Sequence, residues 1–102
     1  MIFIVKQLWI GTVELLTEPG QDGNTRAFTN VIAWANELAD YQETVASVVS
    51  EYDWTLLATE SARPIDDGEE FNQEISEIIS TAKSNANACI VATLHYYPSR
   101  FS

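Results

Sequence analysis

Between Asn36 and Ala82 the apolar positions repeat. Tyr41, Val45, Val48, Val49 and Tyr52 form one set; Phe71, Ile75, Ile78, Ile79 and Ala82 form a second, 30 residues on. Both follow the spacing i, i+4, i+7, i+8, i+11, which lines five side chains along one face of an α-helix. Asp40-Tyr-Gln-Glu43 has capping-box spacing, with Asn36 as an alternative cap, and predicts a first helix ending near Asp53. Asp67 and Glu70 have the same spacing. With acidic residues in a first turn favouring the helix dipole, the Asp66–Glu70 run predicts the start of a second helix reaching about Ser84.

The remaining apolar runs read as strands. Ile2–Leu16, rich in Ile, Val, Leu and Trp, predicts one long strand bent at Gly11 rather than a cleaved leader. Glu18–Asn24 is a turn, with Pro19 presetting one φ and Gly20 and Gly23 permitting positive ones. Thr25–Ala35 is β-branched and aromatic and reads as a second strand, although Phe28, Val31, Ile32 and Ala35 also fit helical spacing. Trp54–Ile65, closed by Pro64, is the third. After a turn at Asn85–Asn87, Ala88–Tyr97 is the fourth, stopped by Pro98. Leu56–Thr59 and Ile90–Thr93 match at an offset of 34, as if one helix–strand unit were written twice.

The expected fold is a single domain over 1–102: a two-layer α/β (α+β) sandwich of order ββαβαβ. Strands two to four would be parallel and the first antiparallel, in a mixed sheet with both helices on one face. If 25–35 were helical and 43–53 a strand, the order would be ferredoxin-like βαββαβ. Either way one sheet face would stay open, a surface for a partner or a second copy.

Charge changes the picture. The net charge is −10. Twelve of the 15 acidic residues lie between Glu37 and Glu77, where Arg63 is the only base, so this stretch carries −11 and the remainder +1. Such a field repels nucleic acid and anionic membrane and attracts basic partners. If the helices lie side by side, Asp40, Glu43, Glu51, Glu69, Glu70, Glu74 and Glu77, with Asp66 and Asp67, share one outer surface. Carboxylates on a rigid scaffold imitate nucleic-acid phosphates or pair with a basic active site. The plainer explanation is a solvated helix face that keeps the chain dissolved.

Candidate chemistry adds little. The 66–70 run lacks the ligand spacing of an EF-hand loop, and helix capping explains it. His95 is the only histidine, and Cys89 lies six residues away on the same expected strand, so a Cys–His pair is not expected. No glycine-rich phosphate loop is present. Cys89 is also the only cysteine, which excludes an internal disulfide. No run is long and apolar enough to cross a membrane as a helix, and a cytoplasmic location is the default. Trp9, Trp34 and Trp54 read mainly as core, with Trp9 and Tyr97 as candidate interface anchors.

The expectation is therefore a non-catalytic, acidic protein-binding domain without cofactor or metal. It would be an inhibitor or immunity-type protein blocking a basic site on a toxin, nuclease or nucleic-acid-binding effector. The alternative is a homodimeric small-molecule-binding or catalytic domain, with a cavity on the open sheet face lined by Trp9, Trp34, His95 and Tyr97.

Overall fold

The computed structural model describes residues 5–19, 23 and 25–96. The elements follow the expected order: β1 (Gln7–Leu16), β2 (Arg26–Ala35), α1 (Leu38–Ser50), β3 (Thr55–Pro64), α2 (Gln73–Lys83) and a last strand in two pieces, β4 (Cys89–Val91) and β5 (His95–Tyr96). The segment 25–35 is strand, so the order is ββαβαβ rather than the ferredoxin-like one. The first three residues of the expected opening strand lie outside the described residues, as does Tyr97.

The sheet order is β3-β1-β2-β4, with β5 also on β2. Every pairing is antiparallel, which corrects the expected mixed sheet. β1 inserts between β2 and β3, so these two run the same way without touching. β4 pairs with the far side of β2 and runs opposite to β3. The two helix–strand units alike in sequence are thus unlike in space.

The helices also lie on opposite faces. Trp9, Val13 and Leu15 of β1 and Val31, Ala33 and Ala35 of β2 pack against Tyr41, Val45 and Val49 of α1. The intervening residues Leu8, Ile10, Ile32 and Trp34 pack against Ile75, Ile78, Ile79 and Ala82 of α2. The cause is in the central strands. β1 and β2 are apolar on both sides of the pleat over 8–10 and 31–35, so one layer of helix cannot bury them. α1 and the sheet form the main sandwich, and α2 covers the other face at the end where β2 finishes. The rest of that face carries Thr12, Glu14, Leu16, Arg26, Phe28 and Asn30, with Leu16 exposed.

Local chemistry sets the boundaries. Tyr41 lies across Gly11, where a Cβ would collide with the phenol and sit 2.8 Å from the Ser61 carbonyl oxygen. The Tyr41 hydroxyl donates to the Val31 carbonyl at 2.8 Å, fully buried. α1 ends in a Schellman motif: Trp54 N–H reaches the Val49 carbonyl at 3.1 Å, Asp53 N–H the Ser50 carbonyl at 3.0 Å, and Asp53 takes the left-handed φ of 63°. α2 starts later than expected. Asn72 caps it, its side-chain oxygen accepting from Ile75 N–H at 2.9 Å. The acidic run is instead a turn in which Gly68 takes φ 79°.

Candidate functional site

The structure does not merge the acidic residues into one surface. α1 carries Asp40 and Glu43, and Glu51 caps its C-terminal end; α2 carries Glu74 and Glu77 on the opposite face of the sheet. The expected shared face is therefore corrected, for the same reason that the helices part: both faces of β1 and β2 need cover.

Several carboxylates have local partners. Asp40 accepts from Asn36 N–H at 3.0 Å, and Glu77 from the Gln73 amide at 3.0 Å. Glu69 holds Arg63 in a two-pronged ion pair, with the Nη1–Oε1 contact at 2.8 Å, and also accepts from Asp66 N–H at 3.3 Å. The Arg63 hydrogen bond, foremost, keeps the Glu69 carboxyl below its ordinary range. Glu74 accepts from both the Thr93 hydroxyl and Thr93 N–H, the latter at 3.0 Å, and these bonds lower its pKa.

Glu43, Glu51, Asp66, Asp67 and Glu70 have no such partner among the described residues, nor do Glu37, Asp53 and Glu60. All eight are exposed. They belong to α1 and its ends, to edge strand β3, and to the turn after it. β2 and β3 run in the same direction, so Glu37 and Asp66–Glu70 follow strands that finish at the same end of the sheet. These strands are two positions apart, roughly 10 Å. The carboxylates on α2, by contrast, are engaged.

The aromatic residues divide differently from expectation. Trp9 is 8% exposed and stacks on Tyr41 with ring centroids 5.9 Å apart, so it is core and not an interface anchor. Its indole N–H has no hydrogen-bond partner among the described residues. Trp34 lies under α2 and donates to the Ala82 carbonyl at 2.9 Å. Trp9 and Trp34 thus point to opposite faces and cannot line one cavity. Tyr97 is outside the described residues, and His95 is exposed on β5. The exposed aromatic that the sequence concealed is Tyr52, 57% exposed and stacked on Trp54 at 4.8 Å. Its place in the helical repeat disguised it; α1 stops two residues before it.

Cys89 is half-buried, and burial pushes its thiol up to about 11. Burial likewise raises the Tyr41 phenol. Neither group is an activated nucleophile at neutral pH. Among the described residues no group of three or more His, Cys, Asp or Glu side chains is placed to hold a metal ion, and no helix is long and apolar enough to cross a membrane. A shallow groove of about 500 Å³ lies between α2 and β4, lined by Glu74, Glu77, Ile78, Thr81 and residues 90–93. No protein-family model, curated protein or solved structure matches the chain.

Proposed function

We propose that this chain is a small acidic protein-binding domain of the inhibitor or immunity type, blocking a basic site on a toxin, nuclease or nucleic-acid-binding effector. The engaging surface is not the pair of helices but α1, its two ends and the adjoining edge of the sheet. The observation that carries the reading is the placement of unpartnered carboxylates where they cost stability. Glu51 caps the C-terminal end of α1 and Asp53 follows it, against the helix dipole and with no base in the last turn. Asp53 also adopts a left-handed backbone that glycine would take with less strain. Local rules broken in this way mark positions held for something other than folding. Exposed Tyr52, stacked on the half-buried Trp54, adjoins these acids and supplies the apolar anchor that a charged rim alone lacks.

The test is binding of this protein to a cationic partner recovered from its source cell at low salt, measured again at high salt. Screening of the carboxylates is expected to weaken association by roughly tenfold or more. An affinity that barely changes would remove the electrostatic basis of the proposal.

A further inference from the structure

We propose that the groove between α2 and β4 receives an extended basic segment of a partner protein, which adds to β4 as a further strand. This rests on the reading that the partner is basic, and names a second contact for it.

Three observations converge on the groove. The first is the state of the β4 edge. Trp34 N–H bonds the Ala88 carbonyl and Ala92 N–H the Asn30 carbonyl. In the antiparallel alternation Ile90 therefore turns its peptide groups toward β2, and Cys89 and Val91 turn theirs outward. Among the described residues these outward groups have no hydrogen-bond partner. The next outward donor in the row, Thr93 N–H, is taken by the Glu74 carboxylate at 3.0 Å, a side-chain oxygen standing where a partner strand's carbonyl would stand.

The second is shape. Glu74, Glu77, Ile78 and Thr81 form one stripe of α2, at i, i+3, i+4 and i+7, facing β4 across the groove. Ile78, Ile90 and Ala92 give it an apolar floor. A strand laid there would put alternate side chains onto that floor and the others toward solvent.

The third is charge: Glu74 and Glu77 rim the groove, so Lys or Arg on the incoming segment is favoured. A second copy of this chain is disfavoured by a charge of −10 on each molecule. The opposite edge of the sheet makes a useful contrast. β3 is long, but Leu57 and Glu60 are bulged out of register with β1, and the strand ends in Arg63 and Pro64, features that discourage strand addition.

A blocked short peptide of alternating Lys and Val is a direct probe, titrated into isotope-labelled protein and followed by amide chemical shifts and hydrogen exchange. The expected result is slowed exchange at Cys89 and Val91 N–H, with shifts along Glu74, Glu77, Ile78 and Thr81. The same peptide N-methylated at alternate amides keeps its charge but cannot pair, and is expected to bind roughly tenfold more weakly or worse. Thr81→Trp fills the groove from an exposed helix position and is expected to weaken the unmodified peptide similarly. Equal binding of the two peptides would overturn the proposal, as would shifts confined to α1 and the 66–70 turn. Those shifts would leave the acidic-surface reading intact, whereas failure to bind the cationic partner as well would end both. A dimer whose protected amides are Cys89 and Val91 would overturn it in favour of self-association.

Discussion

The residue with the greatest structural leverage is Gly11. It is central in β1, yet its role is to be absent as a side chain, so that the Tyr41 ring can cross the sheet and reach the Val31 carbonyl. Gly11→Ala is expected to cost about 2–4 kcal/mol, since it overpacks a closed core and displaces a buried hydrogen bond. Tyr41→Phe, which loses only the hydroxyl, should cost about 1–2 kcal/mol. Urea unfolding of both variants checks the order; a Gly11→Ala protein as stable as the parent would show that the phenol does not need the gap. Asp53 gives a prediction of opposite sign. Asp53→Gly should stabilise by about 1 kcal/mol, because it relieves the left-handed backbone and removes a carboxylate from the negative end of α1. A lower thermal midpoint would contradict this. Apolar spacing marked Asp53 as the end of α1 but not its left-handed backbone, and Gly11 was read for another reason. Gly11 was legible as a glycine in a strand, but a bend was the expectation, since only the three-dimensional neighbour Tyr41 explains it.

At the scale of elements, periodicity was more legible than capping: α1 starts after Glu37, which makes no side-chain cap hydrogen bond, and the expected cap Asp40 lies inside its first turn. α1 falls where the apolar spacing put it, the 26–35 strand follows its β-branched and aromatic composition where spacing was ambiguous, and the Asn85 turn closes as expected, with Ala88 N–H on the Asn85 carbonyl at 3.0 Å. The start of α2 was misplaced because Asp67 and Glu70 mimic a capping box. The choice goes to Asn72, whose side chain has a free helical N–H three residues on, while Gly68 breaks the chain before it. Asn72→Ala is therefore expected to cost about 1 kcal/mol and Asn72→Asp to restore most of it, read by circular dichroism during thermal melting. Equal stability of the parent and the alanine variant would place the cap elsewhere. Strand order and the faces of the helices were not legible in the same way. The alternation in β1 and β2 shows both faces to be apolar, but which helix takes which face depends on where β3 and β4 pair, and edge pairing leaves no periodic trace. That one unknown decided the candidate site, because it sends the carboxylates of α1 and α2 to different sides.

For the molecule as a whole, charge dominates behaviour. With −10 on 102 residues and only two ion pairs among the described residues, self-repulsion works against the compact state. Added salt should raise the thermal midpoint, and a flat or falling midpoint would contradict the repulsion. High pH acts through the buried groups. Tyr41 and Cys89 have raised pKa values, so both stay protonated in the folded protein after the unfolded chain has begun to ionise. Their contribution is complete below about pH 9. The thiol's share is lost between pH 9 and about 11, and the phenol's from pH 10 upward, at up to about 1.4 kcal/mol per pH unit for the phenol. Chemical denaturation across that range should show the fall, with Cys89→Ser moving its onset toward pH 10.

The surplus of unpartnered carboxylates around α1 is what the functional reading depends on. The sharpest test is a Glu43→Gln, Glu51→Gln, Asp53→Asn triple variant, compared with the parent for thermal midpoint and for affinity to the cationic partner. Gain of stability together with an affinity loss of roughly tenfold or more is the expected pair of results. A variant that binds as tightly as the parent would mean that these acids serve solubility alone.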